Sequence, residues 1–234
     1  MTNIIFLALQ DTIPAATQEA ATPIVESQEI SVNYLSLVMK GGVMVIPILL
    51  LFFFTLYVII ERAMYYKKVM KHSESLMSDV RHQVSSGKID AAQMTAARAA
   101  TAEGNILESG ISMLGRPVSE IEGMMEKATN VEIGLMEKKL GWLGLAAGIA
   151  PILGFIGTIA GVIKIFYQIS ETADISIGSI SEGLYEKMIS SGLGLIVGVV
   201  AYSGYHYFNM VIDSFALRVQ RQVIQFVNLI TTGK

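Results

Sequence analysis

Cysteine is absent from the 234 residues, so disulfides, thiolate metal sites and thiol catalysis are excluded, while the redox compartment stays open. Histidine is scarce. His72, His82 and His206 are scattered rather than spaced as ligands, and neither a metal nor a cofactor is expected. Charged side chains make up 16% of the chain, well under the roughly one quarter of an average soluble protein, and the formal charge of −3 argues against a nucleic-acid partner. Catalytic signatures are missing as well: there is no GxxxxGK(S/T), HExxH, GxSxG or EF-hand loop, so the chain is not expected to be an enzyme. No repeat of solenoid length is present, and no low-complexity run beyond one alanine-rich segment.

What the chain has in excess is apolar sequence, 52% of it, with a positive mean hydropathy. Three stretches are long enough for the hydrocarbon layer, which needs about 20 helical residues. The first, residues 41–61, opens at Gly41-Gly42, is greasy throughout (Ile48 to Phe54) and is expected to face lipid and stop at Glu61-Arg62; Pro47 fits a helix's first turns. The second, 140–168, and the third, 180–211, differ in carrying many glycines. Gly154, Gly157 and Gly161 in one, and Gly192, Gly194 and Gly198 in the other, are expected to let these two helices pack closely.

Basic residues set the expected orientation. Residues 1–39 contain no Lys or Arg, whereas Arg62, Lys67, Lys68 and Lys71 follow the first span, Lys138 and Lys139 precede the second, and Arg218 and Arg221 follow the third. The N-terminus is therefore expected outside and the C-terminus inside. The apolar run Ile4 to Leu9 lacks a basic flank and is short for a signal peptide, which weighs against cleavage. Residues 1–40 read as an external tail with a short interfacial helix from Ser31 to Met39, and 169–179 as an external connector.

The interior segment 62–139 is helical in pattern. Ala91 to Ala102 is alanine-rich, Pro117 suits a first turn, and Ile121, Met124, Met125, Ala128, Val131 and Leu135 recur at helical spacing up to the membrane. In the terminal segment 212–234, Ile212, Phe215, Ala216, Val219, Val223, Phe226 and Ile230 form a second stripe. The expected fold is an all-α integral membrane protein of three transmembrane helices, with spans two and three extended into a cytoplasmic helical bundle.

Polar groups inside the spans carry the functional reading, because lipid does not ask for them. Thr158 lies in the second span; Ser190 and Ser191 lie in the third. Ser179 with Glu182 makes a capping box, so the third helix is expected to start near Ile180, with Glu182 a cap rather than a proton carrier. Glu186 then sits roughly 10 Å along the helix. It shares a face with Ser190, while Ser191 is about 100° round, and either serine is placed to face a hydrated lumen. A blander alternative has both serines bonding back to their own helix. If Thr158 is level with Ser191, Lys164 and Glu186 come close enough for an intramembrane ion pair, a purely structural use of that carboxylate. Lys164 can instead snorkel beside Tyr167.

The strings Ala150-Pro151-Ile152-Leu153-Gly154-Phe155-Ile156-Gly157-Thr158-Ile159-Ala160-Gly161 and Tyr185-Glu186-Lys187-Met188-Ile189-Ser190-Ser191-Gly192-Leu193-Gly194-Leu195 resemble the paired signature of the ExbB/TolQ/MotA proton-channel family. The resemblance covers about Arg62 to the C-terminus. Three spans and a long external tail favour ExbB over TolQ and the flagellar branch. It implies a homo-oligomer, a ring of five in the bacterial inner membrane, around an ExbD-like single-span partner that supplies the protonatable Asp, with motion delivered to a TonB-like protein. Thr158, Glu186 and Ser191 match the family's pore-facing Thr, Glu and Thr. Ser191 and Lys187 depart from the family pattern, the second by placing a positive charge where a small apolar residue is usual. A solute carrier, lacking the expected inverted repeats here, and a non-conducting scaffold are the other readings.

Overall fold

The computed structural model describes residues 42–71, 74–172 and 177–232, and every regular element among them is an α-helix. The expected tail and interfacial helix lie outside the described residues. The helices are α1 (Val45–Val69), α2 (Glu74–Ser85), α3 (Ile89–Arg98), α4 (Ala102–Ile111), α5 (Val118–Glu137), α6 (Leu140–Thr172) and α7 (Ile177–Thr232).

Three of these helical stretches are long and apolar enough to cross a membrane. In α1 the buried positions Val45, Ile48, Thr55, Val58, Arg62 and Tyr66 fall on one stripe, while Ile46, Leu50, Phe53, Tyr57 and Ile60 on the other side are more than half exposed. Apolar exposure on that scale suits hydrocarbon rather than water. Pro47 sits in the first turn, where no earlier carbonyl needs its missing amide. The expected span end at Glu61-Arg62 is not the end of the helix. The helix runs on to Val69, because both side chains are satisfied where they stand: Arg62 donates to Glu61 at 2.6 and 2.7 Å, and Lys139 reaches Glu61 Oε1 at 3.1 Å.

Helices α2 to α5 pack with the far half of α7 around Val80, Ala92, Ile106, Leu107, Met125, Phe215 and Phe226. The alanine-rich segment does not form one helix. It breaks after Arg98 because Thr101 caps α4, its hydroxyl accepting from the Gly104 amide at 3.2 Å, and Ala100 is thrown to a left-handed φ of 49°. Local capping there overrides alanine's propensity. Pro117 is the residue just before α5. The buried stripe of α5 is also rotated from its expected face. Ile121, Met125, Thr129, Glu132 and Met136 point inward, whereas Met124, Val131 and Leu135 are exposed. The inward polar groups are matched: Thr129 donates to the Met125 carbonyl at 2.8 Å, and Asn105 donates to Glu132 at 2.7 Å.

The long-helix expectation holds for α7, which runs unbroken for 56 residues, about 84 Å at the usual rise. It is corrected for the second span. The chain turns at Lys138 (ψ 131°) and Lys139 (φ 72°), separating α5 from α6. Carbonyls freed at the end of α5 are taken up by α1: Tyr66 donates to Met136 O at 2.8 Å and Arg62 more weakly to Leu135 O at 3.5 Å. Helix α7 begins at Ile177, three residues before the expected start, so Ser179 stands within the helix rather than at its cap.

Candidate functional site: the seam between α6 and α7

Helices α6 and α7 run antiparallel, and small residues bring their backbones together. A Cβ on Gly194 would lie 2.6 Å from the Ala150 carbonyl oxygen, and one on Gly154 would lie 3.0 Å from Ser191 Cα. Pro151, inside α6, leaves no amide to donate back along its helix, and its ring nests against Gly198 at 2.7 Å from a notional Cβ. Gly161 gives room to the aliphatic stem of Lys187, and Gly157 faces Ser190 Oγ and Met44 of the α1 entry. Gly192 departs from its expected packing role. A side chain there would meet nothing within 4 Å in this protomer.

Close approach lets hydroxyls reach across. Thr158 Oγ1 lies 3.3 Å from its own-helix acceptor, the Gly154 carbonyl, and also 3.3 Å from the Lys187 carbonyl on α7. Ser190 donates to that same Lys187 oxygen at 3.1 Å. Two hydroxyls from two helices therefore converge on one backbone acceptor inside an apolar span. A single hydroxyl proton on Thr158 is shared between two acceptors, so the group switches partners at little cost.

The expected side-chain positions separate into three situations. Ser190 has no exposure and belongs to the helix contact, in line with the back-bonding alternative, though through the carbonyl three residues earlier. Thr158 and Ser191 are half-buried, each keeping one side open. Glu186 has its backbone in α7, but its side chain lies outside the described residues, as do those of Ser179 and Glu182.

The register differs from the expectation that levels Thr158 with Ser191. Ser191 packs on Gly154, and Thr158 is level with Lys187, a shift of four residues or about 6 Å. Lys164 is exposed beside Ile165, whose side chain meets Gly183. Its level on α7 is thus about two residues, roughly 3 Å, beyond Glu186. A cluster that the sequence reading treats only as a span end is the set Glu61, Arg62, Tyr66 and Lys139, which ties α1 to the α5–α6 turn. Its one signal is adjacent opposite charges ending a greasy run.

The MotA/TolQ/ExbB proton channel family matches residues 98–221, which include α4, α5, α6 and most of α7 with the whole seam. The chain belongs to this family. Among relatives, an ExbB-like biopolymer transport protein of Synechocystis sp. is 25% identical over 190 residues, 80% of this chain and 90% of its own length. An ExbB homolog of Methanothermobacter thermautotrophicus is 33% identical over 108 residues, 46% of this chain and 38% of that protein. The Tol-Pal system protein TolQ of Haemophilus influenzae is 24% identical over 119 residues, half of each chain. This chain thus spans less than two thirds of the second and third relatives. Family membership and three apolar helices make it a multi-pass membrane protein of the proton-channel type.

Proposed function

We propose that this chain is the ring-forming subunit of a proton-driven stator, which with an ExbD-like single-span partner converts the proton-motive force into motion delivered to a TonB-like protein for outer-membrane import. The observation that carries the reading is the convergence of Thr158 and Ser190 on the Lys187 carbonyl, a polar knot where both helices are otherwise apolar. Thr158 and Ser191 keep an open side and are the hydroxyls assigned to the hydrated path, with Glu186 five residues, about 7.5 Å, away on the same helix as Ser191. Ser190 acts behind them by holding the seam closed.

No Asp occurs in α6 or in the membrane half of α7, so hydroxyls offer hydrogen bonds but little means to bind and release protons. A partner carboxylate supplies that step. The basic residues at the bundle end favour a cytoplasmic bundle and a periplasmic N-terminus, with the chain in the inner membrane. An ExbB-like role is preferred to a TolQ-like one because the ExbB-like relative from Synechocystis is matched over most of both chains.

The test is pH-gradient-driven proton uptake into liposomes, with the chain alone and with an ExbD-like single-span protein. Flux that requires both chains, and that disappears when the partner's intramembrane Asp is replaced by Asn, is expected. Assembly without any partner-dependent flux would leave a scaffold. Mass measurement of the intact complex gives the number of copies, expected to be five.

A further inference from the structure

At the bundle end of the membrane helices, α1 and α7 enclose a groove of about 350 Å³, away from the α6–α7 seam. Lys67 of α1 and Met70 just past its end line one side, and Tyr207, Phe208, Val211 and Arg218 line it from α7. Its walls are therefore apolar and its two charged groups are both cationic.

Arg218 is held rather than free. Its guanidinium lies 5.9 Å from the Phe215 ring centroid, and its Nε is 3.9 Å from the carboxylate of Glu103, beyond hydrogen-bond reach. That Nε is buried with no hydrogen-bond partner, while the side chain as a whole remains 40% exposed. Glu103 itself is 2% exposed and accepts from Gln222 at 3.1 Å. The carboxylate offsets part of the Arg218 charge from behind. Lys67, with exposed Lys68 and Lys71 beyond it, leaves the mouth of the groove positive.

Depth supplies the second half of the argument. Lys67 lies six residues past Glu61, about 9 Å below the end of the apolar run and so at the level of lipid headgroups. Ile60 and Met64, on the same side of α1 as Lys67, are 56% and 63% exposed and form an apolar ramp from the hydrocarbon down to the groove. A ligand that fits has acyl chains above and a negative headgroup below.

We propose that this groove binds one anionic phospholipid, its phosphate between Lys67 and Arg218 and its chains along Ile60 and Met64. Basic pockets at the ends of membrane helices recognise such headgroups by charge, with the apolar wall excluding water from the contact. The site pins α1 to the long helix α7 through a lipid, and it does not depend on the ion path.

Native mass spectrometry of the full chain in detergent tests this with dioleoyl phosphatidylglycerol, dioleoyl phosphatidylcholine and glycerol phosphate as probes. Phosphatidylglycerol is expected to survive activation as a single adduct, with phosphatidylcholine lost. Lys67→Gln should weaken retention about fivefold, as expected for one charge near a headgroup, and adding Arg218→Gln should weaken it further. Lys127→Gln, an exposed charge on α5, should change nothing. If Arg218→Gln fails to fold, the exposed Lys67 decides alone, with Lys67→Arg expected to restore binding. Equal retention of the two lipids, variants that bind like the parent, or displacement by glycerol phosphate would each overturn the proposal. Adducts on monomers that vanish from the assembled oligomer would overturn it too, giving the groove to a second copy of the chain.

Discussion

Thr158 on α6 and Lys187 on α7 meet through a hydroxyl 3.3 Å from a main-chain carbonyl, between two helices whose facing surfaces are otherwise mostly apolar or small. That acceptor also takes a hydrogen bond from Ser190. Removing one hydroxyl therefore separates the polar function of the seam from its packing.

Thr158→Val keeps the shape and deletes the donor. Ser190 still satisfies the Lys187 carbonyl, so the fold and the oligomer should survive. Proton flux through the complex should fall about tenfold or more, the equivalent of a hydrogen bond worth roughly 1 to 1.5 kcal/mol to a proton in transit. Thr158→Ser should retain most of it. Liposome flux measured beside the assembly state reads both quantities, and a fully conducting Val variant would remove Thr158 from the path.

The two glycines Gly192 and Gly194, two residues apart and so on opposite sides of α7, should respond with opposite sign. An alanine methyl at Gly194 drives into the Ala150 carbonyl, backbone that cannot move aside without separating the helices, at a cost of about 1 to 3 kcal/mol. At Gly192 the methyl meets open space and adds about 0.5 to 1 kcal/mol by stiffening the chain. Thermal midpoints of the two detergent-solubilised variants, compared with the parent, check the contrast.

Tyr66→Phe tests the junction of α5 and α6. It leaves the Met136 carbonyl without its 2.8 Å donor in a buried site, which should cost about 1 to 3 kcal/mol. Hydrogen exchange should quicken around Lys138 and Lys139 before it changes in the middle of α7. Unchanged exchange at that turn would mean the phenol does not hold it.

Ala100 is the residue whose backbone, at φ 49°, is least suited to its side chain. Ala100→Gly should raise stability by about 1 kcal/mol, since only glycine adopts that region without a steric penalty. Ala97→Gly, inside α3, should lower it by about the same amount. Chemical denaturation of the two variants gives the signs directly.

Much of the architecture is legible from residues alone, for reasons that can be named. The three spans show because hydrocarbon requires long apolar runs, and the inward stripe of α7 shows because Ile212, Phe215, Val219 and Phe226 keep a single helical period. The α5 stripe misleads because apolar residues sit on two adjacent faces. Thr129 and Glu132 settle the matter only through partners, one in its own helix and one on α4. Likewise the continuation of α1 past Glu61 and Arg62 is not legible, because a sequence does not show that Lys139 will stand opposite them.

The candidate site divides the same way. That Thr158 and the two serines set hydroxyls among apolar residues is visible in the sequence. Which serine faces a path is not visible, since Ser190 and Ser191 are chemically alike and differ only by 100° of rotation.

By itself the sequence determined the number of spans, the helical class, the glycine-bearing faces and the family signature, all of which follow from composition and short-range period. Only the tertiary structure decided the register of α6 on α7, the burial of Ser190, the turn at Lys138–Lys139 and the placing of Arg218 and Lys67 on one groove. A glycine-rich face accepts several registers a turn apart, and the one adopted is selected by contacts such as Pro151 on Gly198, between residues far apart in the chain.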